Sequence, residues 1–214
     1  MLMTDAIAAA RQGICEVGRA MWQRSMVSAN DGNISVRVGD QIVCTPTRVS
    51  KGFLTPESLT VVGLDGSILS GENPPSSELK MHLRVYEVDP QATAVVHTHS
   101  MFATMMAVQG RSLECQMLPE TIVALPQVPL APYATPSTAA VPDSITDLVL
   151  GNSACLLENH GALTWGPDVF TAYLTMERLE YTAELTWRLD AVGGGRDLPP
   201  DEVERIRQLF KVAR

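Results

Sequence analysis

The chain has 214 residues and a mass of 23.2 kDa, with 45% hydrophobic and 19% charged residues, enough apolar material for one compact domain over 1–214. That composition excludes a disordered, coiled-coil or collagenous chain. Lys plus Arg number 16 against 24 Asp plus Glu, a net charge of -8 with no basic run, which excludes an electrostatically driven nucleic-acid binder.

In chain order, Ile7, Ile14, Val17 and Met21 recur at helical spacing, which predicts an amphipathic helix over 5–25 that breaks at Asn30-Asp31-Gly32-Asn33. Residues 34–38 and 41–45 alternate around Gly39-Asp40, the pattern of a β-hairpin with a tight turn. A further strand is expected over 59–64, before a turn at Asp65-Gly66. Residues 71–77 form a loop rich in Gly, Pro and Ser, and Ser76 or Ser77 is expected to cap a helix over 78–87 with Glu78 in its first turn. A buried strand over 93–97 places His97 and His99 at its end, and a helix follows over 100–108.

The stretch 121–142 is uncharged, but Pro126, Pro129, Pro132, Pro136 and Pro142 prevent a spanning helix, and 125–136 is expected to be extended. A helix over 137–150 ends at Gly151-Asn152, and strands over 155–157 and 163–165 flank the turn Glu158-Asn159-His160-Gly161. Pro167 is expected to open the first turn of a long helix over 168–189, ended by Gly193-Gly194-Gly195, with a terminal helix over 200–212. The start of the chain has no basic segment followed by a sustained apolar run, and Cys15, Cys44, Cys115 and Cys155 form no CxxC pair. Reduced core thiols and a cytoplasmic location are the expectation. Helices and strands alternate without a βαβ rhythm or a GxGxxG loop, so a three-layer α/β/α domain with a mixed, largely antiparallel central sheet is expected.

The chemistry-bearing residues are few. The four histidines are His82, His97, His99 and His160, and alternation along a strand turns His97 and His99 to one face, where two imidazoles can converge on one ion. His160 could supply a third, and three imidazoles with an open position make a catalytic rather than a structural zinc site. An isolated His-x-His better suits surface or hydrogen-bonded histidines at a strand end; the apolar strand before it is what demands a defined partner. Glu78 reads either as a capping carboxylate or as an acid/base group beside an anion site at a helix N-terminus. Glu78 and His82, four apart on one helix face, could also pair. Asp31-Gly32-Asn33 and Thr45-Pro46-Thr47-Arg48 have the small and hydroxyl residues suited to phosphate, or are merely turns.

Gly32-Asn33-Ile34-Ser35, Thr45-Pro46-Thr47, Pro75-Ser76-Ser77-Glu78, Val95-Val96-His97-Thr98-His99-Ser100 and Asn159-His160-Gly161 occur in one order and spacing over 8–189. In that arrangement the chain resembles the class II aldolase/adducin family, and most of all its branch that cleaves L-fuculose 1-phosphate. The resemblance implies one Zn²⁺ per subunit held by His97, His99 and His160, with Glu78 as a fourth ligand that swings away to become the catalytic acid/base. It implies phosphate contacts from Gly32, Asn33, Thr47, Ser76 and Ser77, and a catalytic Tyr133 reaching into the site from a neighbouring subunit of a C4 homotetramer. The family usually has Gly where this chain has Arg48, followed closely by Lys51, and Arg48 is expected to add a charge-assisted phosphate contact. The tail over 191–214, with Phe210, is expected to close over the site.

The implied reaction is cleavage of a ketose 1-phosphate to dihydroxyacetone phosphate and a small aldehyde, with a sugar phosphate as partner and neither nucleic acid nor membrane. Family epimerases acting on L-ribulose 5-phosphate carry Asp where this chain has Glu78. Other branches dehydrate or decarboxylate sugar phosphates, and the adducin head is a non-catalytic interaction module.

Overall fold

A computed structural model describes residues 3–212; the last two residues of the expected tail lie outside the described residues. The elements in order are α1 (Met3–Gln23), β1 (Asn33–Val38), β2 (Gln41–Cys44), two short 3-10 turns (Lys51–Phe53 and Pro56–Ser58), β3 (Thr60–Gly63), β4 (Ile68–Ser70), α2 (Leu79–Val88), β5 (Ala94–Thr98), α3 (Met101–Val108), α4 (Pro119–Ala124), β6 (Leu130–Ala131), α5 (Ala140–Val149), β7 (Ala154–Leu157), β8 (Gly161–Gly166), α6 (Val169–Asp190) and α7 (Pro200–Phe210). The strands form one sheet in the order β4-β3-β2-β1-β5-β8-β7-β6. Every pair is antiparallel except β6 with β7.

Alternation along the strands divides the core into two layers. On one face Ile34, Val43, Val61, Val96, Leu156 and Ala162 pack with Ile14, Val17 and Met21 of α1, Met106 of α3 and Met176 and Leu179 of α6. On the other, Ile42, Val62, Val95, Cys155, Leu163 and Trp165 pack with Met81 and Val85 of α2 and Ile145 and Val149 of α5. The expected three layers with a mixed sheet are therefore present. β5 lies at the centre, buried along its whole length, which is why it reads as a continuous apolar run rather than an alternating one. All four cysteines are free and buried, and no described helix is long and apolar enough to cross a membrane.

The structure corrects several local expectations. Glu78 occupies the N-cap position of α2 with φ -96° and ψ 3°, and no side chain caps that helix. Ser76 stands two residues earlier: its carbonyl accepts from Leu79 N at 3.1 Å and its Oγ from Glu78 N at 3.3 Å. Asp168, not Pro167, caps the start of α6, accepting from Thr171 N at 2.8 Å through its carboxylate. Within the expected extended run, Leu130 and Ala131 pair with β7, and prolines on both sides confine the strand to two residues. β4 and α4 were not anticipated from the sequence. In the tail, Val203 and Ile206 of α7 pack on Ile122 of α4, and Phe210 is exposed.

Between β1 and α2 lies a buried polar chain in which Ser35 Oγ is 2.8 Å from His82 Nδ1 and 2.7 Å from Tyr86 OH. His82 does not pair with Glu78, the alternative that their four-residue spacing allowed: the N-cap conformation takes Glu78 off the helical line, and His82 is packed and turned to Ser35. Burial lowers the His82 pKa to about 4. The folded state therefore holds His82 neutral, whereas the unfolded chain takes up a proton below about pH 6.5. Stability is expected to fall as the pH drops through that range toward 4. Urea midpoints of the metal-free protein between pH 7 and 5 should fall less in His82→Gln than in the unaltered chain; an equal fall would assign the dependence to other groups.

Candidate active site at the end of the central strand

β5 carries His97 on the α2 face, opposite Asn33 of β1 and Leu163 of β8. The strand ends at Thr98, so His99 sits one residue beyond it, and His160 comes from the tight turn joining β7 to β8. Two glycines let the neighbouring loops close on this strand end. A Cβ at Gly161 would stand 2.4 Å from the Thr98 carbonyl and 3.0 Å from the His99 ring. Gly32 has φ +73°, and a Cβ there would meet the His97 carbonyl at 2.8 Å.

With those approaches made, the three imidazole rings stand 4.8–5.0 Å apart, centroid to centroid. His97 Nε2 is 3.0 Å from His99 Nε2. Glu78 places Oε1 2.9 Å from His160 Nε2 and Oε2 3.4 Å from His97 Nε2. One ligand atom from each of Glu78, His97, His99 and His160 falls within 4.8 Å of all the others. The structure thus brings together the four side chains singled out in the sequence.

Partners outside the cluster orient these groups, and the sequence did not reveal them. His97 Nδ1 is 2.9 Å from the carbonyl of Ala162. A carbonyl only accepts, so Nδ1 carries the proton and Nε2 turns its lone pair into the cluster. Asn33 Nδ2 donates to Glu78 Oε2 at 2.8 Å, and Asp31 Oδ2 is 3.6 Å from His99 Nδ1. Asn33, expected at the phosphate, thus has its side-chain amide on the carboxylate.

Burial pushes the His97 and His99 pKa values down, with the neighbouring imidazoles adding to the effect. Burial acts on Glu78 in the opposite sense, but the pull of His97, His160 and the Asn33 amide prevails and holds it below the usual carboxylate range. At neutral pH His97 and His99 present unprotonated ring nitrogens beside the ionised Glu78 carboxylate, and with the His160 imidazole these are donor types that suit Zn²⁺ or a similar divalent ion.

The remaining candidate residues lie on loops held by main-chain contacts. Thr47 N donates to the Pro74 carbonyl at 3.0 Å and Ser76 N to the Thr45 carbonyl at 3.1 Å, so the 45–48 and 74–77 loops are laced together. Thr47 and Arg48 therefore stand beside Ser76 and Ser77 at the approach to α2. Arg48 is exposed and has φ +61°, a left-handed conformation natural to Gly. Tyr133 is exposed, and its backbone N–H donates to Glu158 Oε2 at 2.8 Å.

Residues 12–187 match the model of the class II aldolase and adducin N-terminal domain. An L-fuculose phosphate aldolase of Methanococcus maripaludis is 33% identical over 80% of this chain and 93% of that protein. A 3-oxo-tetronate 4-phosphate decarboxylase of Cupriavidus necator is 31% identical over 94% of this chain and 95% of that protein. The crystal structure of YgbL from Escherichia coli superposes with a TM-score of 0.86 at 31% identity, covering 94% of this chain and 99% of that one. With its sheet order, its clustered histidines and these likenesses taken together, the chain belongs to the class II aldolase and adducin family.

Proposed function

We propose that the protein is a zinc-dependent aldolase that cleaves the C3–C4 bond of a ketose 1-phosphate, L-fuculose 1-phosphate or a related deoxypentulose 1-phosphate, to dihydroxyacetone phosphate and a small aldehyde. The observation that carries this reading is the convergence of Glu78 and three histidine nitrogens within 4.8 Å. Zn²⁺ held by His97, His99 and His160 would act as a Lewis acid toward the ketone and neighbouring hydroxyl oxygens, where negative charge develops.

The protein's own groups manage the protons. As the C3–C4 bond breaks, its electron pair moves into an enediolate, and the C4 hydroxyl proton is relayed to solvent through Tyr133 of a neighbouring subunit in a homotetramer, the phenol releasing its own proton as it takes the other. Glu78, ionised while it stands beside the imidazoles, takes up a proton from solvent on its release and hands it to C3, so that the proton lost from the C4 hydroxyl is matched by the one gained at C3. Asn33 holds the Glu78 carboxylate through its amide. Gly32, Thr47, Arg48, Ser76 and Ser77 receive the phosphate, with Asn33 beside it; exclusion of water around these groups keeps the enediolate from premature protonation. The free, buried cysteines suit a cytoplasmic setting.

A second reading rests on the Cupriavidus necator relative. Loss of CO₂ from a 3-oxo-tetronate 4-phosphate leaves the same enediolate of dihydroxyacetone phosphate, so the same donors and the same proton delivery by Glu78 would serve.

Three outcomes are expected. Zinc-loaded protein should release dihydroxyacetone phosphate in a manner abolished by chelation, with lactaldehyde or acetaldehyde as co-product; CO₂ from a 3-oxo-tetronate phosphate with no aldehyde from any ketose would select the second reading. His97→Ala should lose its Zn²⁺ by elemental analysis while keeping its circular dichroism spectrum, and retained stoichiometric zinc would refute the ligand assignment. Glu78→Gln should lower kcat by about 10² to 10⁴ with a small change in KM, the size expected for removal of a positioned acid/base group; a kcat near that of the unaltered chain would leave Glu78 without a role in proton transfer.

A further inference from the structure

Lys51 begins the 3-10 turn that follows the 45–50 loop and is 1% exposed. Its ammonium donates to the carbonyl of Asn30 at 2.6 Å and to that of Val49 at 2.7 Å. Among the described residues no carboxylate lies within 4.0 Å of it. An ammonium has three donors, so one N–H has no partner among the described residues and the charge is in no direct ion pair there, an arrangement that is costly unless something compensates it.

The surroundings indicate what does. Asn30 begins the loop that continues through Asp31 and Gly32 to Asn33, and Val49 belongs to the loop of Thr47 and Arg48. Lys51 therefore fastens two of the three candidate phosphate loops to each other, while the third is laced to the second through Pro46 and Pro75. Beside it, Ser50 Oγ is also buried without a partner. Burial pushes the Lys51 pKa down to about 8, and the carboxylates that pull it back are Asp31 and Glu78, which places its charge in the field of the active site. Arg48, the more obvious cation, is exposed, so its charge is screened by solvent to an extent that the Lys51 charge is not.

We propose that Lys51 is the buried cation of the phosphate subsite, fixing the 30–33 and 47–50 loops against each other and supplying the positive charge that draws a phosphate dianion to Thr47, Ser76 and Ser77. The inference rests on the sugar-phosphate reading. It makes Lys51 a positioning and electrostatic residue rather than a catalytic one, since the bond changes occur at the histidine cluster. The ligand chemistry is that of a phosphomonoester, with the rest of the substrate recognised elsewhere.

Calorimetric titration of inorganic phosphate into the zinc-loaded protein tests the inference without relying on turnover. Lys51→Met keeps the apolar stem and removes the charge, Lys51→Gln restores a neutral donor, and Lys51→Arg restores the charge. Phosphate affinity is expected to fall at least tenfold in the Met and Gln variants and to return to within about threefold in the Arg variant, with zinc content unchanged throughout. Having both Met and Gln variants keeps the comparison available if one fails to fold. Equal phosphate affinity in the neutral variants and the unaltered chain would overturn the role of Lys51 alone. Thr47→Ala with Ser76→Ala separates the two ideas, because phosphate binding that survives that double change would remove the loop assignment itself. Failure of the unaltered chain to bind phosphate would overturn both.

Discussion

The hydrogen bond from His97 Nδ1 to the carbonyl of Ala162 is the contact on which the site depends. It sits in the middle of the sheet, where β5 and β8 pair, and it costs the backbone ladder nothing because a carbonyl oxygen can accept twice. By occupying Nδ1 it leaves Nε2 as the inward-facing donor, and by belonging to a fully buried strand it removes the ring's freedom to turn away. Glu78, His99 and His160, carried on an N-cap, a loop and a turn, are arranged around that one immobile ring. A set of donors that could hold an ion is thus anchored on the buried central strand and completed from an N-cap, a loop and a turn.

The sheet's central elements were legible because their patterns are long enough to have a period. The hairpin of β1 and β2, the apolar run of β5 and the paired strands around His160 all declared themselves by alternation or by continuous β-branched and apolar residues. β4 and α4 did not. All three residues of β4 are exposed, so the strand has no inward face to leave a signature, and α4 has six residues, fewer than two helical turns. The caps were misread for a related reason: the local sequence offers several hydroxyls and a proline near each start, and only the path of the preceding loop decides which residue takes the cap conformation.

Within the site, side-chain identity and spacing announced the histidines, and the order of the motifs pointed to the family. The supporting contacts were hidden. The Asn33 amide reaches Glu78 because Asn33 lies opposite His97 in the sheet, a relation between residues 64 positions apart that no local pattern encodes. Lys51 was noticed only as a charge near Arg48. Its burial reverses the relative importance of the two cations, since a charge in a low-dielectric interior is felt over distances at which a solvated one is screened.

The short parallel pairing of β6 with β7 ties distant pieces of chain together. Glu158 N donates to the Ala131 carbonyl, and the Glu158 carboxylate in turn accepts from Tyr133 N. Glu158 stands two residues before His160, so a single acidic side chain yokes the turn that carries an imidazole to the segment that presents Tyr133 outward. Within one chain, then, the turn that carries His160 and the segment that carries Tyr133 are not independent: a change in the path of residues 131–133 would be felt at the imidazole through Glu158.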